Sequence, residues 1–291
     1  MNSKNIKKHL NAKMKDWVES IDDANIKSII KNNTIITGGA LVSLLTGEPV
    51  NDYDVYFRTK DAALDVATYY ANKWNDAHKD GKQVTVSLEN ETGKIKCFIS
   101  SDGVVSEEEP TDILFDEKTD AEENNTEPEK DDTGKPKYRP VFITANAITL
   151  SNKIQIVTRF YGEVEDIHKN YDFVHCTCVW SSWDNELNLP AQALECIINK
   201  ELQYVGSKYP LCSIIRTRKF LERGYTINAG QYVKMAMQLN ELNLKDIKVL
   251  EDQLTGVDTT YFAMLIEALD KKYPDGQVDN AYVIELVNRM F

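Results

Sequence analysis

No apolar run in this 291-residue chain approaches the roughly 18 residues that a membrane-spanning helix needs, so a transmembrane protein is excluded. The first fifteen residues are lysine-rich but hold neither an apolar stretch nor a small-residue cleavage site. No secretory signal is therefore expected, and the cytoplasm is the expected compartment. Cysteine is sparse: Cys97, Cys176, Cys178, Cys196 and Cys212 form an odd set with no CxxC pair, which predicts reduced, buried thiols and not a disulfide framework. His175-Cys176-Thr177-Cys178 has zinc-ligand residue types. On a strand, however, the two cysteines share one face and His175 points to the other, so no structural zinc is expected. An internal repeat is also lacking.

An excess of positive charge is missing too. The formal charge of −12 ordinarily argues against nucleic-acid binding, but thirteen of the 46 acidic residues and only two of the 34 basic ones fall between Val105 and Thr133. The rest of the chain holds 33 acidic against 32 basic residues and is nearly neutral, so a local basic groove is not excluded. The acidic segment is poor in large apolar residues and closes on Gly134, Pro136 and Pro140. It reads as a disordered, solubilising insertion over residues 105–137. At 42% hydrophobic and 27% charged residues, the chain as a whole has the composition of an ordinary globular protein, with enough length for a sizeable core.

Hydrophobic periodicity divides this body in two. Residues 1–33 read as helical, through Ile6, Leu10, Met14, Trp17 and Val18 and then Ile26, Ile29 and Ile30. A β-branched run, 34–37, ends at Gly38-Gly39, and a helical pattern from Ala40 stops at Gly47-Glu48-Pro49. A strand over 52–58, an amphipathic helix over 60–78 and a hairpin over 83–88 and 94–100 follow. Strands resume over 141–150, 153–160 and 171–180. From Pro190 the pattern is helical, with segments at 191–205, 211–222, 231–242, 244–254, 258–272 and 279–290. The expected fold is α+β: a mixed sheet with flanking helices in a domain over 1–185, then an all-helical domain over 186–291.

The chemistry-bearing stretch runs from Thr37 to Tyr56. A glycine pair opening a helix presents backbone N–H groups and the positive end of the helix dipole, which suits a phosphate chain. Asp52 and Asp54, two apart on a strand, point the same way and suit a hard divalent cation. Gly38-Gly39, then Leu44-Leu45-Thr46-Gly47, then Asp52-Tyr53-Asp54-Val55 resembles the signature of the DNA polymerase β-like nucleotidyltransferase superfamily. The arrangement is especially similar to that of CCA-adding enzymes and bacterial poly(A) polymerases.

The resemblance implies a palm-like sheet and transfer of a nucleotidyl group from an NTP to an acceptor hydroxyl, such as a tRNA or RNA 3′ end. It implies two Mg²⁺ or Mn²⁺ ions held by Asp52, Asp54 and a third carboxylate on a later strand of the same sheet. Asp172, in Tyr171-Asp172-Phe173, is the best match, with Asn170 and Tyr171 where the family has paired arginines. It further implies phosphate contacts at Gly38, Gly39 and Ser43. A Pro210-Leu211 start leading to Arg216, Arg218, Lys219 and Arg223 looks like the family's arginine-rich helix, which makes Arg216 and Arg218 nucleotide-binding candidates. Arg58 and Arg159 are further candidates for phosphate cations, and Trp180, Trp183 and Tyr204 are read as core in preference to base-stacking groups. The acidic insertion and the Tyr171–His175 strand are similar to bacteriophage nucleotidyltransferase-like proteins, which would put the chain in a host cytoplasm. The alternatives are transfer to a protein or small molecule, and a non-catalytic phage structural or interaction protein that keeps the fold.

Overall fold

The computed structural model describes residues 1–79, 81–88, 93–99, 104–106, 136–254 and 284. The chain divides into two compact units, the first comprising Met1–Lys169 and Cys176–Ala193, the second Asn170–His175 and Leu194–Phe291.

The first unit opens with two helices, α1 (Ser3–Glu19) and α2 (Ala24–Asn33), each started by a side-chain cap. Asn2 accepts from the Asn5 N–H, and Asp23 accepts from the Asn25 and Ile26 N–H groups, satisfying donors that a helix start leaves open. The apolar positions expected on α1 are all buried, and Trp17 donates its indole N–H to the Tyr70 hydroxyl at 2.7 Å. Tyr70 lies on α4 (Lys60–Ala77), whose small buried residues Ala62, Ala63, Ala67 and Ala71 allow close helix packing.

An eight-stranded sheet forms the centre of this unit. Its strands are β1 (Thr34–Thr37), β2 (Tyr53–Phe57), β5 (Val104–Ser106), β6 (Pro140–Thr144), β7 (Ala147–Leu150), β8 (Ile154–Tyr161), β9 (Val179–Ser181) and β10 (Leu187–Asn188), in the order β10-β9-β1-β2-β8-β7-β6-β5. The β2–β8 pair is parallel, and the other pairs of this sheet are antiparallel. A separate hairpin joins β3 (Val84–Leu88) to β4 (Ile95–Ile99), as the sequence predicts. Tyr53, Val55 and Phe57 of β2 and Ile154 and Ile156 of β8 are buried on one face, so the register is fixed by apolar burial.

Three expectations change. The run 171–180 is not a continuous strand: Val174–Cys176 is one turn of 3₁₀ helix, and only Val179–Ser181 joins the sheet. The strand geometry used to weigh a zinc site at His175, Cys176 and Cys178 therefore does not hold. The run 141–150 is two strands turned at Ala145-Asn146, where Thr144 Oγ1 accepts from the Asn146 and Ala147 N–H groups. The acidic insertion over 105–137 begins inside β5, while residues 107–135 lie outside the described ones.

The second unit is helical among its described elements: the end of α6 (Ala191–Asn199), α7 (Pro210–Glu222), α8 (Ala229–Leu239) and α9 (Ile247–Leu254). The expected helix over 191–205 stops at Asn199 because Lys200 turns into the left-handed region, φ 51°. The helices expected over 258–272 and 279–290 lie outside the described residues, Ile284 excepted. Phe173, His175, Phe220 and Tyr225 form an aromatic cluster in this unit, with the His175 ring 4.6 Å from Phe220 and 4.8 Å from Tyr225. No described helix in either unit is long and apolar enough to cross a membrane.

Candidate functional site

Strand β1 ends at Thr37, and Gly38 turns the chain into α3 (Gly39–Thr46). Gly38 sits at φ 85°, ψ −146°, a conformation that only glycine adopts readily, and its N–H donates to the Cys176 carbonyl at 3.2 Å. Gly39 opens α3, is exposed, and would have no atom within 4 Å of an added Cβ. Space is therefore open in front of the helix N-terminus. Ser43, one turn in, is buried, and Gly47 ends the helix at φ 82° with its N–H on the Ser43 carbonyl.

The antiparallel pairing of β1 with β2 matches Ile36 to Val55, and continuing that register places Thr37 across from Asp54. The glycine turn and the carboxylate pair consequently lie at one end of the sheet. Asp52 is exposed just before β2, and Asp54 is half-buried on it. On the other side of β2, Asp54 pairs with Gln155 of β8, and Gln155 pairs in turn with Thr149. The Lys153 carbonyl accepts the Tyr53 N–H at 2.8 Å, and the Lys153 ammonium donates to the Val50 carbonyl at 3.1 Å.

Thr37 is fully buried and anchors this end. Its hydroxyl donates to the Cys178 carbonyl at 2.8 Å and accepts from His168 Nε2–H at 3.0 Å. His168 closes a short helix, α5 (Val164–His168). Burial holds its imidazole below the usual value, against an opposing pull from Glu165, which keeps it neutral at pH 7 and fit for the single-donor tautomer.

The structure treats the remaining candidates differently. Asp172 does not stand on a strand of the sheet; it belongs to the second unit, where its side chain is 5% exposed and pairs with Arg216 at 3.0 Å. The third carboxylate that the family resemblance implies is thus absent from the sheet position expected for it. The residue paired with Asp54 on the later strand β8 is the neutral Gln155. Arg218 pairs with Glu222 on the same helix. Arg58 pairs with Glu163 at 2.7 Å and lies over the Trp183 ring at 4.8 Å, so its charge is committed locally. Trp180 and Tyr204 are buried. Among the described residues, no three His, Cys, Asp or Glu side chains group as metal ligands.

Sequence reasoning missed Gln155 and His168. Neither stands in a motif, and only the pairing of β8 with β2 and the fold of α5 toward Thr37 reveal them.

Residues 8–200 match the model of the Gabija anti-defense 2 (Gad2) family protein. A curated relative, Gabija anti-defense 2 of Bacillus phage SPbetaL7, is 20% identical over 279 residues, covering 91% of this chain and 54% of that protein. The chain thus spans about half the length of the curated relative it matches. Similar solved structures include a tRNA-processing enzyme with CTP, 13% identical with a TM-score of 0.40, covering 85% of this chain and 55% of that one. Another is the Thermotoga maritima CCA-adding enzyme complexed with tRNA, 12% identical with a TM-score of 0.38, covering 91% of this chain and 56% of that one.

Proposed function

The chain belongs to the Gabija anti-defense 2 family, and we propose that within it this protein acts on the Gabija defence as a nucleotide-handling protein built on a nucleotidyltransferase-like unit. The observation that carries this reading is the placement of the Gly38-Gly39 turn and of Asp52 and Asp54 at one end of the sheet. A triphosphate would lie against the first turn of α3, where the N–H groups of Gly39 and Ala40 and the helix dipole favour anions. The Gly38 N–H, already given to Cys176, fixes the turn and does not hold phosphate. Ser43 is one helical turn deeper.

Asp52 and Asp54 supply hard oxygen donors that fit Mg²⁺ or Mn²⁺. Such an ion, when bound, offsets phosphate charge and favours pyrophosphate as a leaving group. The reaction proposed is nucleotidyl transfer: an acceptor hydroxyl oxygen bonds to the α-phosphorus and releases its proton to water, and the bond to pyrophosphate breaks. The acceptor is a nucleic-acid 3′ hydroxyl in the leading reading and a protein or small molecule in the other. Asp172 and Arg216, candidates in the sequence, pair with each other within the second unit. A non-catalytic binder is the second reading, favoured by one observation, the neutral Gln155 beside Asp54.

The test incubates the full chain with each labelled NTP, Mg²⁺ or Mn²⁺, and pooled tRNA, RNA, DNA and host protein, beside Asp52→Asn/Asp54→Asn. Label transferred by wild type and lost in the variant is the expected result. Nucleotide binding that depends on Asp52 and Asp54, with no transfer to any pool, would leave the binder. A folded protein that neither binds nor transfers nucleotide would overturn both.

A further inference from the structure

We infer that this site holds one divalent ion and not two, and that Gln155 is the residue that sets the number. The inference rests on the proposed reading of Asp52 and Asp54 as the ion-binding pair, and it departs from the two-ion arrangement that the resemblance implies.

Asp54 is flanked on its own face of the sheet by residues of the neighbouring strands. Residues directly opposite on neighbouring strands share a face. The row through Asp54 therefore reads Val179, Thr37, Asp54, Gln155, Thr149 and Phe142. Asp54 is its only charged member. Thr37 cannot serve as an anionic ligand, since its hydroxyl is engaged by His168 and the Cys178 carbonyl. One step toward the sheet end, the β8 chain next to Asp52 contributes Lys153, a cation. The row thus offers one carboxylate, Asp54, and one amide oxygen, Gln155, while Asp52 stands exposed just before β2.

Two ions compete unequally for that set. An ion accompanying the triphosphate would take oxygens from the phosphates as well as from an aspartate. A second ion, away from the leaving pyrophosphate, depends on protein carboxylates, and ligand charge governs the affinity of oxygen-ligand sites for divalent cations. With the neutral Gln155 as the residue paired with Asp54, the second ion lacks a negative ligand from the neighbouring strand. A glutamate at 155 would differ from the native side chain only by oxygen in place of the amide nitrogen, and would add the missing charge on the same face.

The experiment counts Mn²⁺ on the full-length chain by equilibrium dialysis and electron paramagnetic resonance, with a non-hydrolysable NTP analogue at saturation. Wild type is expected to hold one Mn²⁺ per chain, Gln155→Glu two, and Asp172→Asn one, with circular dichroism confirming each fold. Two ions on wild type would overturn the inference and leave the site reading intact. So would a folded Gln155→Glu that still holds one, or an Asp172→Asn that loses its ion. No ion on folded wild type would overturn the inference together with the reading of Asp52 and Asp54. The wild-type count needs no variant to fold.

Discussion

Replacing the two adjacent glycines one at a time separates what each does. At Gly38 the backbone stands at φ 85°, ψ −146°, and a side chain forced there costs about 1–3 kcal/mol. Where the strained turn also shifts, the 3.2 Å hydrogen bond from the Gly38 N–H to Cys176 is lost, a further cost of about 0.5–1.5 kcal/mol. Gly38→Ala is thus expected to lose about 2–4 kcal/mol in urea unfolding followed by circular dichroism. At roughly 2–4 °C per kcal/mol for a unit of this size, its Tm falls on the order of 5–15 °C. Gly39→Ala meets no atom within 4 Å and begins a helix, where alanine is favoured over glycine by up to about 1 kcal/mol. It is expected to fold as well as wild type or slightly better, yet to bind NTP more weakly, because its methyl group occupies the space in front of α3. A Gly38→Ala chain within about 0.5 kcal/mol of wild type would refute the strain argument. Unchanged nucleotide affinity in Gly39→Ala would refute the phosphate site at the helix start.

Three further outcomes follow from other parts of the molecule. Burial, with Arg216 and Arg223 nearby, pushes His175 down to about 3, so the unfolded chain binds a proton between pH 6.5 and 3 that the folded one refuses. The stability of the second unit should be fully present above pH 6.5 and fall by about 1.4 kcal/mol per unit as pH drops toward 3, while His175→Phe shows a flatter profile by pH-dependent urea melts. Arg216→Met leaves the Asp172 carboxylate buried without its cation and should destabilise by about 1–3 kcal/mol, more than Asp172→Asn, as read by thermal melts at pH 7. Burial raises the Cys178 thiol to about 12 and the Cys212 thiol to about 11, so neither should react with a thiol reagent at pH 8 until urea unfolds the chain, and prompt native labelling at either would contradict the packing.

The strand, glycine turn and helix over residues 34–46 were legible because three signals agree there: a β-branched run, a glycine pair and an apolar helical period. Asp54 was legible for a similar reason, since alternation fixes the face of a strand once one side is apolar, whereas Asp52, expected on the same strand, stands just before it. Asp172 was not legible. Tyr171 to Trp180 alternates like a strand, but Phe173 and His175 are buried in the aromatic cluster of the second unit. The Val174 N–H, moreover, goes to Gln203 and not to the sheet. Alternation reports which side chains are buried, and it is silent on what buries them. Gln155 escaped for another reason: β2 and β8 pair in parallel across about a hundred residues of chain, and no local pattern encodes which residue ends up beside Asp54.

The long acidic connection leaves the sheet at Ser106 and returns in β6, where Ser106 and Phe142 are directly paired. Its two ends are therefore clasped like the legs of a hairpin, at the margin of the sheet opposite β10. Doubling the length of such a connection adds only about 0.6 kcal/mol of closure entropy. Between β5 and β6 the polypeptide thus has a socket where one insert can be exchanged for another, in length or in charge, while β7 and β8 keep Gln155 in register with Asp54. A change in that segment need not disturb the end of the sheet that carries Gly38 and Asp54.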